Sequence, residues 1–323
     1  MNFWEDYREI EAQLEAVQLA IQARLDIKQL DVSGALQLFA SSGGKMLRPA
    51  LFLLFAGLTE KPIDYDKNIK VAASLELLHL ATLVHDDIID DAPTRRRQET
   101  LQSKLGKDIA VYVGDYLYTV YFEILCETMA DTPFLAQNAQ SMKRILHGEL
   151  LQDQLKFKVD VSLQQYFHVI AGKTAELIAL SCEEGAYFGG LDRRAQLRAR
   201  RVGRNIGLAF QIYDDVLNFS LKFKNEKPIL TDVCQGIFTL PLLLAREAAP
   251  GEIDTYLESP ERLSQGERIK LAELVSQTGG LDQALQLAES LSNKALAEIS
   301  LLPTGNNQEI LGKATKKLLK RTY

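Results

Sequence analysis

The chain has 323 residues, 46% hydrophobic and 25% charged, an ordinary globular composition with ample length for a large core. A net charge of −6 argues against nucleic acid as the main partner. Three cysteines, Cys126, Cys182 and Cys234, lie far apart without a CxxC or Cys/His cluster, so core thiols in a reducing cytoplasm are expected rather than disulfides or a thiolate metal site.

The N-terminal stretch MNFWEDYREIEAQL is acidic and amphipathic, and reads as neither a signal nor a transit peptide. Residues 2–25 place Ile10, Leu14, Val17 and Ile21 at three- and four-residue spacings, which predicts a helix. Gly43-Gly44 follows as a break. Residues 68–91 keep one apolar stripe for several turns, and 108–129 and 134–157 read the same way, with Pro93 and Pro133 between the runs. Helical periodicity continues through 163–189, breaks at Gly189-Gly190, and resumes over 192–219. Beyond Pro228 come 235–248, 265–275 and 280–301, the last preceded by Gly279-Gly280. Strand signals are scarce, and neither a repeat nor a low-complexity tract is seen. No apolar run is expected to reach the ~20 residues that span a bilayer. The pattern predicts an all-α chain of about ten or more helices packed as one bundle, a single domain over residues 1–323.

Two acidic clusters carry the chemistry. In LVHDDIIDDAPTRRR, Asp86 and Asp90 are four apart and share a helix face, with Asp87 beside them. In FQIYDDVLNF, Asp214 and Asn218 are four apart, and Asp215 follows Asp214. Both clusters end strongly apolar runs, where unpaired carboxylates would be costly if buried. Two oxygen-rich helix faces brought together would suit a hard cation, Mg²⁺ or Mn²⁺ rather than Zn²⁺, with substrate phosphates completing the shell. Solvated helix ends explain one such cluster more simply than they explain two.

Basic residues accompany them. Lys45 and Arg48 follow Gly43-Gly44, which lets the backbone approach a ligand closely. Arg95-Arg96-Arg97 follows the first acidic cluster, and Lys173-Thr174 precedes an apolar helical stretch. Guanidinium forks and ammonium groups suit phosphate oxygens. His79 lies seven residues, two turns, before Asp86 and shares its face. Together these residues suggest a diphosphate held by a metal and by cationic side chains.

At this point the sequence resembles the trans-isoprenyl (polyprenyl) diphosphate synthases. GGKMLRP, ELLHLATLVHDDIIDDAPTRRRQET, VGDYL, GELLQ, GKTAEL, FQIYDDVLNF and KPILTDVCQGIFTLPLL match that family's segments in order. The resemblance implies a helical bundle around a central apolar cavity and a head-to-tail condensation of an allylic diphosphate with isopentenyl diphosphate. It implies that Asp86, Asp87, Asp90, Asp214 and Asp215 hold Mg²⁺, three ions bound with the diphosphate. Arg95, Lys173 and Lys227 would contact the allylic diphosphate. Gly44, Lys45, Arg48, His79 and Arg96 would hold isopentenyl diphosphate. Thr174 and Gln211 match positions near the reacting carbons, where the family stabilises the carbocation and accepts a proton. It further implies a cytoplasmic homodimer, with a heteromer as the alternative, touching membranes transiently to release a greasy product.

The chain also departs from the family pattern. Asn218 stands where the family has Asp, Arg97 and Leu230 where it has Gly, and Ile237 where it has Lys. These changes raise an alternative, a catalytically impaired subunit of a heteromeric synthase. A terpene cyclase is a further reading, opposed by the second set of diphosphate-type cations. Before the first acidic cluster lie Ala81 and Thr82, neither aromatic, with Leu78, Leu77 and Ser74 farther along. Tyr118, Tyr121 and Phe122 are candidates for a tunnel floor. In that family the residues just before the first acidic cluster face the tunnel and short-chain members block it with an aromatic ring, so the resemblance implies a medium- or long-chain product of the kind used for quinone side chains, with geranylgeranyl diphosphate as the alternative.

Overall fold

The computed structural model describes residues 3–25, 27–41, 44–96, 98–220 and 229–319. Gly43, Arg97, Lys227 and Pro228 lie outside the described residues. The all-α expectation is borne out. In chain order the helices are α1 (Arg8–Arg24), α2 (Leu30–Ser41), α3 (Leu47–Ala56), α4 (Tyr65–Ile89), α5 (Leu101–Leu105), α6 (Lys107–Met129), α7 (Phe134–Leu155), α8 (Leu163–Ile170), α9 (Glu176–Phe188) and α10 (Arg193–Asn218). They continue as α11 (Thr231–Cys234), α12 (Leu240–Ala248), α13 (Pro250–Leu257), α14 (Gln265–Gln277), α15 (Gly280–Ile299) and α16 (Asn306–Leu319).

Two compact units are present. The first comprises Met1–Ala139, Ser181–Leu197 and Pro303–Ile310. Its core packs α4 along α6 and against α1 and α3. The α1 residues expected at helical spacing, Ile10, Leu14, Val17 and Ile21, are all buried. Asp64 caps α4 by accepting from the Lys67 amide, so the helix starts earlier than the apolar stripe. A Cβ on Gly185 would lie 2.2 Å from the Phe52 carbonyl oxygen, so only glycine allows this approach of α9 to α3.

Helix α6 corrects one expectation. At 23 residues it is long and apolar enough to cross a membrane by length and composition. In this fold it packs on α4, and Glu127 near its end pairs with Arg24 and Lys70.

The second unit comprises Gln140–Leu180, Arg198–Leu302 and Leu311–Tyr323. Here α12 packs on α13, α14 and α15. Gly280 lies so close to the Pro241 carbonyl that a Cβ would sit 2.3 Å from it. The helix expected over 235–248 begins only at Leu240, because Gly236 adopts φ +75° and turns the chain. The run expected as one helix over 163–189 is interrupted by a π-helical turn at Ala171–Ala175.

Candidate active site

In the first unit, α4 delivers the DDIID sequence at its C-terminal end. Asp90 is the C-cap, and Asp91 takes φ +49° as the chain leaves the helix. Asp86 is half-buried and Asp90 exposed, on the shared face the spacing predicts. Asp87 is 2% exposed. Its Oδ1 accepts from Arg95 Nε at 2.8 Å, with Arg95 Nη2 at 2.7 Å. Its Oδ2 has no hydrogen-bond partner among the described residues. The first acidic cluster is therefore divided: Asp86 and Asp90 are accessible, while Asp87 is held inward by Arg95.

A short hairpin makes that pairing. Thr94–Arg95 (β1) lies antiparallel to Gln98–Glu99 (β2), with Arg96 at φ +52° in the turn. The turn brings Arg96 to Gly44, where a Cβ would lie 2.9 Å from Arg96 Nη1. A side chain at position 44 would therefore displace the Arg96 guanidinium from its place against this segment. Met46 takes φ 45° before α3, which sets Arg48 in the first helical turn. Lys45 is exposed, with its ammonium 5.2 Å from the Phe3 ring centroid. Burial, together with the charges of Arg48, Arg96 and Arg95, holds the His79 imidazole well below its ordinary pKa, so it is neutral. Buried Glu76 is pushed up by burial and pulled back by Arg48 and Arg96.

In the second unit the π turn presents Lys173 and Thr174. Gly148 on α7 and Gly172 in the turn allow the two backbones to touch: added Cβ atoms would lie 2.7 Å from Lys173 N and from Arg144 O, respectively. Such π turns are frequent where a helix serves a site. Lys173 Nζ pairs with Glu149 Oε2 at 2.7 Å. Thr174 Oγ1 donates to Gln211 Oε1 at 2.7 Å, and Gln211 Nε2 donates to Asp215 Oδ1 at 2.9 Å. Tyr166 OH donates to the other oxygen of Asp215 at 2.5 Å. Asp215 is 3% exposed, and burial pushes its pKa up to about 7 despite these bonds. Both its oxygens are engaged, whereas Asp214 is half-buried. Asn218 Nδ2 donates to Thr231 Oγ1 at 3.0 Å, and its Oδ1 lacks a hydrogen-bond partner among the described residues. Asp232 lies within the field of Lys173 and Asp214, and burial raises its pKa.

The motif spacing predicts the helical pairing of Asp86 with Asp90, and the structure joins Thr174 to Gln211. Sequence reasoning missed Glu76, Glu149, Tyr166 and Asp232, which hold or face the named residues. It also missed His85, whose ring stacks on Tyr118 at 5.4 Å and whose Nε2 is 3.3 Å from Asp115 Oδ1. Asp115 belongs to the VGDYL segment, the one signal that could have pointed to this contact. Among the described residues no three carboxylate, imidazole or thiol groups converge as a ready metal shell.

A family model described as polyprenyl synthetase matches residues 31–275. The chain belongs to this family. Among polyprenyl synthetases of known description, heptaprenyl diphosphate synthase component 2 of Bacillus subtilis is 34% identical over 87% of this chain and 80% of its own. The solved geranylgeranyl pyrophosphate synthase of Lactobacillus brevis superposes with a TM-score of 0.93 at 36% identity, covering 98% of this chain and 99% of that one. A polyprenyl synthase of Caulobacter crescentus, solved with calcium and isoprenyl diphosphate, gives a TM-score of 0.89 at 30% identity over 97% of this chain and 96% of its own. The resemblance seen in the motifs therefore extends to the fold of this polyprenyl synthetase.

Proposed function

We propose that this polyprenyl synthetase condenses an allylic diphosphate with isopentenyl diphosphate and releases a medium- or long-chain polyprenyl diphosphate. The observation that carries the reading is the first unit's arrangement: accessible Asp86 and Asp90 close in sequence to Arg95 and Arg96, with Arg48 and neutral His79 in the same electrostatic neighbourhood. Asp86, Asp90 and Asp214 are the residues to hold Mg²⁺, which when bound neutralises charge on the departing pyrophosphate. Arg48, Arg96 and His79 receive isopentenyl diphosphate, and a neutral imidazole serves as a donor without adding charge. Arg95 and Lys173 orient the allylic diphosphate from their carboxylate partners, Asp87 and Glu149. Because Thr174 donates its proton to Gln211, its oxygen lone pairs remain available to a cationic carbon.

A second reading, an impaired subunit, is favoured by the neutral Asn218 and by Ile237, and by the B. subtilis relative, which is component 2 of a heptaprenyl diphosphate synthase. One experiment separates them. The pure chain is incubated with Mg²⁺, labelled isopentenyl diphosphate, and farnesyl or geranylgeranyl diphosphate, and product lengths are resolved. Elongation by the chain alone supports the synthase; absence of product with every primer supports the subunit.

A further inference from the structure

The π turn that presents Lys173 and Thr174 is followed at once by a buried carboxylate. Glu176 opens α9 and is 7% exposed. Its Oε1 accepts from Ser141 Oγ at 2.7 Å, lies 2.7 Å from Arg144 Nη2 and accepts from Arg200 Nη2 at 2.9 Å. Its Oε2 accepts from Arg200 Nη2 at 3.1 Å. Arg144 Nη2 also donates to Ser141 Oγ at 2.9 Å, so two of the partners are linked to each other. Burial acts to raise the Glu176 pKa, yet the bonds to Arg144, Ser141 and Arg200 hold it below its ordinary value, and the carboxylate is charged. Ser141 and Arg144 stand on α7 and Arg200 on α10, all within the second unit. One side chain therefore ties the start of α9 to two helices. The same two helices pin the turn itself. Gly148 of α7 lies against its backbone, and an added Cβ on Gly207 of α10 would lie 2.5 Å from Ala175 Cα. A π turn holds one residue more than the α-helical turn it replaces. Relaxation to a regular helix would rotate Lys173 and Thr174 by about 100° relative to α9, the angle of one residue. Charged hydrogen bonds to guanidinium forks are directional and resist that rotation, whereas apolar contacts are not.

We propose that Glu176 is a positioning residue that locks the register of the π turn, and so sets the direction of Lys173 toward the allylic diphosphate and of Thr174 toward the reacting carbon. The proposal rests on the functional reading above and assigns a role to a residue that touches neither substrate. Its route of action is the backbone: Glu176 is fixed to α7 and α10, and Lys173 and Thr174 lie two and three residues upstream in the turn that those helices enclose.

The test is calorimetric titration of wild type, Glu176→Gln and Ser141→Ala with farnesyl diphosphate and Mg²⁺, and separately with isopentenyl diphosphate. Glu176→Gln should weaken farnesyl diphosphate roughly tenfold, the scale of one charge-assisted hydrogen bond, and leave isopentenyl diphosphate within about twofold. Ser141→Ala should weaken farnesyl diphosphate in the same direction by a smaller factor. In a Lys173→Ala background, Glu176→Gln should add little to the loss of farnesyl diphosphate affinity, because its route of action is already broken. A carboxylate that only joins helices would lower the thermal midpoint and leave both affinities unchanged in the folded variants. That result, or equal weakening of the two diphosphates, overturns the role. Ser141→Ala removes a single donor and keeps both arginines, so it carries the test should Glu176→Gln fail to fold. Titration reads the site whether or not the chain turns over. A wild type that binds no farnesyl diphosphate refutes the functional reading and this inference together, while a wild type that binds it beside unaffected folded variants refutes the inference alone.

Discussion

Thr174 and Gln211 are joined side chain to side chain at 2.7 Å, and Gln211 in turn donates to buried Asp215. The three residues act as one relay of hydrogen bonds, so the orientation of the Thr174 oxygen depends on a carboxylate it does not touch. Gln211→Leu leaves Asp215 Oδ1 without its donor, which costs about 1–3 kcal/mol. Denaturant melts should show that loss. Activity should fall at least about tenfold, corresponding to 1.4 kcal/mol of transition-state stabilisation. Because Thr174→Val breaks the same relay, the double variant should lose less than the product of the two single effects. Multiplicative losses would show that the two residues act independently.

Asp87 and Arg95 form a pair in which the carboxylate is buried and the guanidinium only partly so. Removing the cation strands a buried charge, whereas removing the charge leaves a polar group that still accepts. Arg95→Ala is therefore expected to destabilise the protein by about 3–5 kcal/mol, and Asp87→Asn by clearly less. Urea unfolding midpoints of the two variants provide the comparison. Equal losses would mean that the pair is maintained by packing and not by charge.

Much of this site was legible because acidic and basic groups at the ends of apolar runs are expensive to leave unexplained. The inward turn of Asp87 and Asp215 was not legible. Adjacent residues on a helix point about 100° apart, so one member of each Asp-Asp pair must turn away from its neighbour's face. The letters do not say which. The π turn at Ala171–Ala175 was hidden for a related reason: its apolar spacing differs too little from that of an α-helix to read over five residues. Helix α3 carries almost uninterrupted apolar residues, buried from Pro49 to Ala56, so it shows no stripe to recognise. Leu230 is fully buried at φ +54°, a conformation costing roughly 1–2 kcal/mol for a residue with a Cβ. Nothing in its identity signals that turn. Phe122, expected on aromatic character as part of a tunnel floor, is 40% exposed, while Tyr121 beside it is fully buried with its hydroxyl donating to Asn138.

Asn138 links that tyrosine to another buried carboxyl, Glu184. Burial raises the Glu184 pKa to about 8, against a relieving hydrogen bond from Asn138 and with Glu183 adding to the rise. The unfolded chain releases this proton near pH 4.3, while the folded protein keeps it until about pH 8. The favourable contribution is therefore complete below about pH 4.3, declines as pH rises through that window, and is gone above it. Glu184→Gln retains an oxygen to accept from Asn138 and cannot ionise. Its thermal midpoint should exceed that of the wild type at pH 8 and match it more closely at pH 5. A wild type and variant that keep a constant difference across that range would show that Glu184 does not titrate there.

Ala81 tests the product-length reading. It is fully buried on α4, five residues before Asp86, which is about 7.5 Å along the helix axis. Helices α4 and α6 run antiparallel here: His85 meets Gly114, while Lys70 meets Glu127. That register sets Ala81 opposite the stretch near Tyr118 and sets Tyr121 a turn deeper, opposite Leu77 and Leu78. A phenyl ring at position 81 should therefore block a growing chain before it reaches Tyr121. Ala81→Phe is expected to shorten the product made from farnesyl diphosphate by at least one isoprene unit and to leave consumption of the first isopentenyl diphosphate largely intact. Overpacking of this site should also cost about 1–3 kcal/mol, so chain-length analysis is made below the variant's own thermal midpoint. An unchanged product ladder from a folded, active variant would remove Ala81 from the path of the chain, leaving length control to residues outside this face of α4.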